Sequence, residues 1–129
     1  MNLLTRVVES GRMPLTVTER SVAEVVILDL AGRLWILDLP LRDLMNRLLS
    51  AGNRHFVLNL VKVDYIDSSG LGQLISIWTS IQNNKGHMTI LQPNKRVQRL
   101  FDITRLNAVF EILENETKSV QKARKAVSA

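Results

Sequence analysis

The densest group of chemically capable side chains in this chain is the run Asp67-Ser68-Ser69-Gly70-Leu71-Gly72. A carboxylate and two hydroxyls stand there between an apolar stretch of strand character and a stretch of helical period. That position is an exposed turn at the carboxy end of a parallel strand, where α/β proteins present functional groups. Serine has two uses in such a place. Ser68 or Ser69 is expected to cap the free backbone amides of the following helix, the ordinary structural role of serine at a helix start. A hydroxyl there is also suited to accept a phosphate, because a helix amino terminus offers unpaired N–H groups and a partial positive charge. Asp67 partly offsets that welcome by repulsion, and Gly70 and Gly72 leave room for another backbone or side chain to approach. The larger effect of a phosphate falls on a partner. It adds about −1.5 to −2 charges to a packed contact surface, and an unpaired buried charge costs about 3–5 kcal/mol.

Other chemistry finds little support in the residue types. Ser68 beside Asp67 admits a hydrolase nucleophile, but the two histidines, His55 and His87, stand at predicted strand starts, at the opposite end of a parallel sheet from the serine turn. The chain has no Gly-x-Ser-x-Gly elbow, no Gly-x-x-x-x-Gly-Lys phosphate cradle and no histidine pair at metal-ligand spacing. The absence of cysteine removes thiolate catalysis, iron–sulfur clusters and Cys-type zinc sites. No catalytic residue, metal or cofactor is therefore expected. Met45 and Trp78 fall at helical spacing with other apolar residues and read as core. Trp35 reads either as an exposed partner contact or as packing over the sheet edge.

The chain has 129 residues, 46% hydrophobic and 22% charged, which suits a single domain with a real core. No apolar run approaches the roughly 20 residues that span a bilayer, and the start Met1-Asn2-Leu3-Leu4-Thr5-Arg6 lacks the pattern of a signal peptide. The expectation is a cytoplasmic protein without membrane insertion. The formal charge of +5 is gathered in a carboxy-terminal group (Lys118, Lys122, Arg124, Lys125) and a second cluster (Lys95, Arg96, Arg99, Arg105). Neither is interleaved with aromatics; an acidic protein partner explains the surplus as well as nucleic acid does, and a merely solvated face explains it better than either.

Residues 1–13 read as an extension or a short first helix. Leu15-Thr-Val-Thr-Glu alternates with the period of a half-buried strand, and Glu24 to Arg33 is a more central strand ending at Gly32. The two should form an antiparallel hairpin turning between Arg20 and Ala23. Leu41, Leu44, Met45, Leu48 and Leu49 make a helical stripe, with Pro40 in the first turn and Gly52 as the stop. His55 to Val61 is a nearly continuous apolar run, as expected of a strand covered on both faces. Helical period returns with Leu71, Leu74, Ile75, Trp78 and Ile81, and His87 to Gln92 is another strand. Asn94 is placed to cap a helix buried at Val97, Leu100, Phe101 and Thr104. Val109 to Leu113 is strand-like, and an amphipathic tail begins at Asn115 or Thr117 with Val120, Ala123 and Val127 on one side. The order predicts a mixed sheet with right-handed parallel crossovers.

The apolar strand ending in Asn59-Leu60, the turn Tyr65-Ile66-Asp67-Ser68-Ser69-Gly70-Leu71-Gly72 and the later run Lys95 to Leu106 resemble the STAS domain of anti-sigma factor antagonists, and Gly32 matches the glycine after that family's second strand. The resemblance covers residues 14–113, leaving 1–13 as an amino-terminal extension and 114–129 as a carboxy-terminal amphipathic helix or tail. Arg105 departs from the pattern, standing where many members carry a small residue or glycine. The resemblance implies an α/β STAS fold, a mixed central sheet with packed helices in one compact domain. It implies binding of an anti-sigma factor that is also an ATP-dependent serine kinase, ended by phosphorylation and restored by a serine phosphatase. By motif position the phosphoacceptor is Ser68, with Asp67 shaping the turn and Ser69 supporting the helix. The partner contact is expected at Asp67, Ser68, Ser69, Gly70, Gly72 and Gln73. Another use of the same fold stays open, as a non-phosphorylated adapter in a stress-signalling scaffold or a lipid-transport complex.

Overall fold

A computed structural model describes residues 3–8, 15–34 and 39–128; for 3–8, 39–40 and 123–128 the description is of the backbone alone. The elements follow in the order β1 (Leu3–Val8), β2 (Leu15–Val22), β3 (Val25–Leu34), α1 (Leu39–Ser50), β4 (His55–Ile66), α2 (Ser68–Asn83), β5 (His87–Leu91), α3 (Lys95–Ile103), a 3₁₀ turn (Leu106–Ala108), β6 (Glu111–Leu113) and α4 (Glu116–Ser128). The strands form one six-stranded sheet in sequential order. β1, β2 and β3 pair antiparallel, while β3, β4, β5 and β6 run parallel.

This topology places the layers. Each parallel step moves one strand further in the same direction, so right-handed crossovers put α1, α2 and α3 on one face of the sheet. That face holds the main core: Val26, Leu28 and Leu30 of β3, Phe56, Leu58 and Leu60 of β4, and Ile90 of β5 meet the apolar sides of the three helices. The α1 stripe of Leu41, Leu44, Met45, Leu48 and Leu49 is buried there as its spacing predicts. Phe101 of α3 closes the far end, edge-on to Phe110 with ring centroids 5.7 Å apart. The opposite face carries a smaller core of Val25, Ile27, Val57 and Leu91, and Val120 of α4 packs on it. β4 is thus covered on both sides, which is why its sequence reads as an unbroken apolar run.

A polar clamp fixes α4 to this second face. Arg20 donates to Asp29 at 2.7 and 3.1 Å and to Glu116 of the first α4 turn, at 3.0 Å to one of its oxygens, and Asn59 donates to Asp29 at 2.8 Å. Burial alone would raise the Asp29 carboxyl, but the Arg20 and Asn59 hydrogen bonds override it and hold its pKa below the ordinary value. The hydrogen bond from Arg20 holds the Glu116 carboxyl low as well.

Several sequence expectations change. Residues 3–8, read as part of an extension or a short first helix, form a strand: Leu3 to Val8 pairs residue by residue with Arg20 to Leu15. A run containing two leucines and two valines beside an open sheet edge gains more from the ladder than from an isolated turn of helix. The hairpin turns at Ala23-Glu24, both at positive φ, later than the expected Arg20 to Ala23. β4 continues to Ile66 instead of stopping at Val61, and it carries an extra residue against β3 at two points. Thr104 is exposed, because it is the cap that ends α3. Trp35, with its two readings, lies outside the described residues, as do the side chains of Ala123, Arg124, Lys125 and Val127.

Candidate functional site: the serine turn between β4 and α2

The turn is built by Asp67. Its backbone is extended (φ −96°, ψ −177°), and its side chain accepts the Gly70 N–H at 2.7 Å, while its carbonyl accepts from Leu71 N at 2.9 Å. The N-cap is therefore Asp67, where the sequence reading chose Ser68 or Ser69. A carboxylate one residue earlier reaches the third amide of the helix and leaves the serines inside the first turn. Gly70 is jammed against the end of β3: a Cβ there would stand 2.2 Å from the Leu34 carbonyl oxygen. The turn is pinned from both sides, since Asp67 N also donates to that carbonyl at 3.4 Å.

Relieved of capping, Ser68 is exposed as the first residue of α2, and its hydroxyl makes no hydrogen bond with a described residue. The amides of Ser68 and Ser69 open the helix, where backbone N–H groups have no intrahelical partner. A phosphate on Ser68 has those donors within its own turn.

The residues expected to meet a partner divide between outside and inside. Ser68 and Gly72 are exposed, Asp67 and Ser69 are partly covered, and Gly70 and Gln73 are buried. Gln73 turns toward the domain interior with 7% of its surface exposed. Ile75, read from its spacing as core, is 40% exposed, and Ile77 takes the buried position instead. Ser68, Gly72, Ile75 and Thr79 lie at i, i+4, i+7 and i+11, so they form one outward stripe along α2. Gly72 has open space where a Cβ would be. Among the described residues nothing requires a glycine at that position.

Beyond the turn, the extra residues of β4 re-aim its last side chains, so that Val63 and Ile66 point inward while Tyr65 is 37% exposed. The Arg33 guanidinium lies 5.3 Å from the Tyr65 ring centroid. His55 and His87 are register partners at the starts of β4 and β5, the end of the sheet away from the serine turn. His87 faces Glu111 at 3.4 Å. Burial, and secondarily the charge of His87, holds the His55 imidazole below its ordinary pKa of 6.5. Among the described residues no group of three His, Cys, Asp or Glu is arranged to hold a metal ion.

The STAS domain family model matches residues 2–120. The chain is 30% identical over 100 residues to the anti-sigma-B factor antagonist of Staphylococcus aureus, covering 77% of this chain and 90% of the relative. A Thermotoga maritima protein solved by NMR superposes with a TM-score of 0.74 at 28% identity, over 82% of this chain and 86% of that one. The unphosphorylated form of the anti-sigma factor antagonist SpoIIAA superposes with a TM-score of 0.66, covering 84% of this chain and 97% of that one, a likeness of fold at 18% identity. The chain belongs to the STAS domain family, within its branch of anti-sigma factor antagonists, which are regulatory binding proteins. Among the described residues no helix is long and apolar enough to cross a membrane.

Proposed function

We propose that this protein is an anti-sigma factor antagonist that binds an anti-sigma factor with serine kinase activity while Ser68 is unmodified, and is released when Ser68 is phosphorylated. A serine phosphatase resets it. The observation that carries this reading is the division of labour in the turn: Asp67 caps α2, and the Ser68 hydroxyl stands exposed at the helix start with no hydrogen bond to a described residue. The stripe of Ser68, Gly72, Ile75 and Thr79 is the contact face, and Gly72 lets the partner's backbone approach. Gly70 and Gln73 support the face from behind. ATP belongs to the partner, and nucleic acid is reached only through the sigma factor that the partner releases.

The switch is electrostatic. Unmodified Ser68 is a small neutral hydroxyl that packs beneath a partner. Phosphoserine brings about −1.5 to −2 charges into the same contact. Left unpaired there, it weakens binding by a factor of roughly a hundred or more. Asp67, already anionic and one residue away, adds repulsion to any carboxylate the partner offers. SpoIIAA, which shares this fold, is known in unphosphorylated and phosphorylated forms, with TM-scores of 0.66 and 0.65 to this chain. That supports a fold able to hold both states.

The test is to incubate the chain with the candidate kinase and ATP and to map phosphate by mass spectrometry. Labelling at Ser68, lost in Ser68→Ala, is expected, and Ser68→Asp should bind the kinase roughly a hundredfold more weakly. Equal binding by wild type and Ser68→Asp rejects the switch and leaves a constitutive adapter.

A further inference from the structure

We propose that the groove between the end of β4 and the outer flank of α3 docks an acidic, amphipathic segment of a protein partner. A large apolar side chain of the partner sits against Leu100 and Ile103, and its carboxylates meet Arg96 and Arg99. The site lies beside the Ser68 contact and uses different side chains.

The groove measures about 260 Å³ and is walled by Tyr65, Ile66, Leu100 and Ile103, with Arg96 and Arg99 on its rim. Its apolar surface is left in water: Ile103 is 73% exposed and Tyr65 37%. Covering such surface removes apolar area from water, so an occupant with a matching side chain gains where solvent does not. The β4 irregularity creates this wall, because it turns Tyr65 outward beside the inward Ile66. Bulges that re-aim a side chain recur next to functional sites.

Charge selects the occupant. Arg96 and Arg99 are exposed and form no ion pair with a described residue. The one acid of α3, Asp102, accepts from Gln98 at 3.0 Å on the same helix. The rim is therefore positive, and carboxylates flanking an apolar anchor complete it. A membrane surface fits less well, because Ile103 is the one aliphatic side chain of the groove that stands far out into water while Ile66 and Val97 are buried. A nucleic acid strand fits poorly as well, because Arg33 already stands over the ring of Tyr65, the one aromatic in the groove.

The probe is a fluorescein-labelled peptide of Glu-Glu-Leu-Phe-Glu-Glu-Leu pattern, titrated by anisotropy against the full chain. Saturable binding that weakens with added salt is expected. The double variant Arg96→Glu, Arg99→Glu should weaken it roughly tenfold or more, Ile103→Ser by a comparable factor, and Arg96→Lys, Arg99→Lys only slightly. These side chains are exposed, and unchanged urea midpoints establish that the variants fold. No saturable binding, equal binding of the Lys-for-Glu peptide, or full affinity in the charge-reversed variant overturns the proposal. So does sedimentation showing that Ile103→Ser abolishes self-association of the free chain, which assigns the groove to a second copy. Co-sedimentation with phosphatidylserine vesicles, lost in the same variants, overturns it in favour of lipid.

Discussion

The two glycines of the serine turn answer to different constraints, and substitution separates them. Gly70→Ala drives a Cβ into the Leu34 carbonyl, a backbone atom that cannot swing aside, so it should destabilise the fold by about 1–3 kcal/mol in urea unfolding. Gly72→Ala meets nothing within 4 Å and should stabilise the helix by about 0.5–1 kcal/mol. If the partner packs on that face, the same variant binds it more weakly although it folds better, a combination that urea titration and a binding isotherm read independently. Arg105 is a third backbone position of interest. Its φ of 62° places a non-glycine residue in the left-handed region, where glycine, lacking Cβ, is not penalised. Arg105→Gly should raise stability by about 1 kcal/mol. The serine run was conspicuous from residue types alone, yet the sequence assigned the cap to the wrong residue. Asp and Ser are nearly equal as caps, and the choice between neighbours is made by where β4 ends, which depends on two irregularities that no local pattern announces.

Among the elements, α4 is the one whose attachment was least legible. Its apolar side was visible, but the clamp that orients it joins positions 20, 29, 59 and 116, far apart in the chain. A signal was present: Asp29 and Asn59 each interrupt an apolar strand, and the register sets them opposite one another. A carboxylate and an amide inside two buried strands need partners, so a long-range donor was to be looked for. Removing Arg20 as Arg20→Met leaves two carboxylates facing each other without their cation. It should lower stability by about 2–3 kcal/mol, a value discounted for the partly solvated Glu116, and loosen α4 first, seen as faster amide exchange from Glu116 onward. At the other end, the amino-terminal strand was missed because a short run of mixed residues has little intrinsic preference. The open edge of β2 decides for it.

For the molecule as a whole, stability should fall in two stages on acidification. Asp29 and Glu116 have folded-state pKa values below their ordinary 3.8 and 4.5, so the unfolded chain takes up protons first. Their contribution is complete above that range and is lost as the pH drops through it. His55 is also depressed, from 6.5, and it acts in the same direction because partial burial disfavours the charged imidazole. Stability therefore begins to decline below about pH 6.5, and His55→Asn should flatten that upper stage while leaving the lower one in place. Urea midpoints measured across the range test both. The layered architecture was largely readable, since hydrophobic period distinguishes helix from strand and the crossover rule then fixes the faces. The outward side of α2 was not. Ile75 and Ile77 are the same residue type two positions apart, and only the packed sheet beneath them decides which is buried.

The pinning of the serine turn has a kinetic consequence. With Gly70 close under the Leu34 carbonyl and Asp67 bonded across the first turn, the backbone of the turn is held from both sides. A phosphate on Ser68, as proposed above, would then be written as charge on a stiff template. On the proposed switch, the time needed to flip the signal is expected to be set by encounter with the modifying enzymes and by departure of the partner.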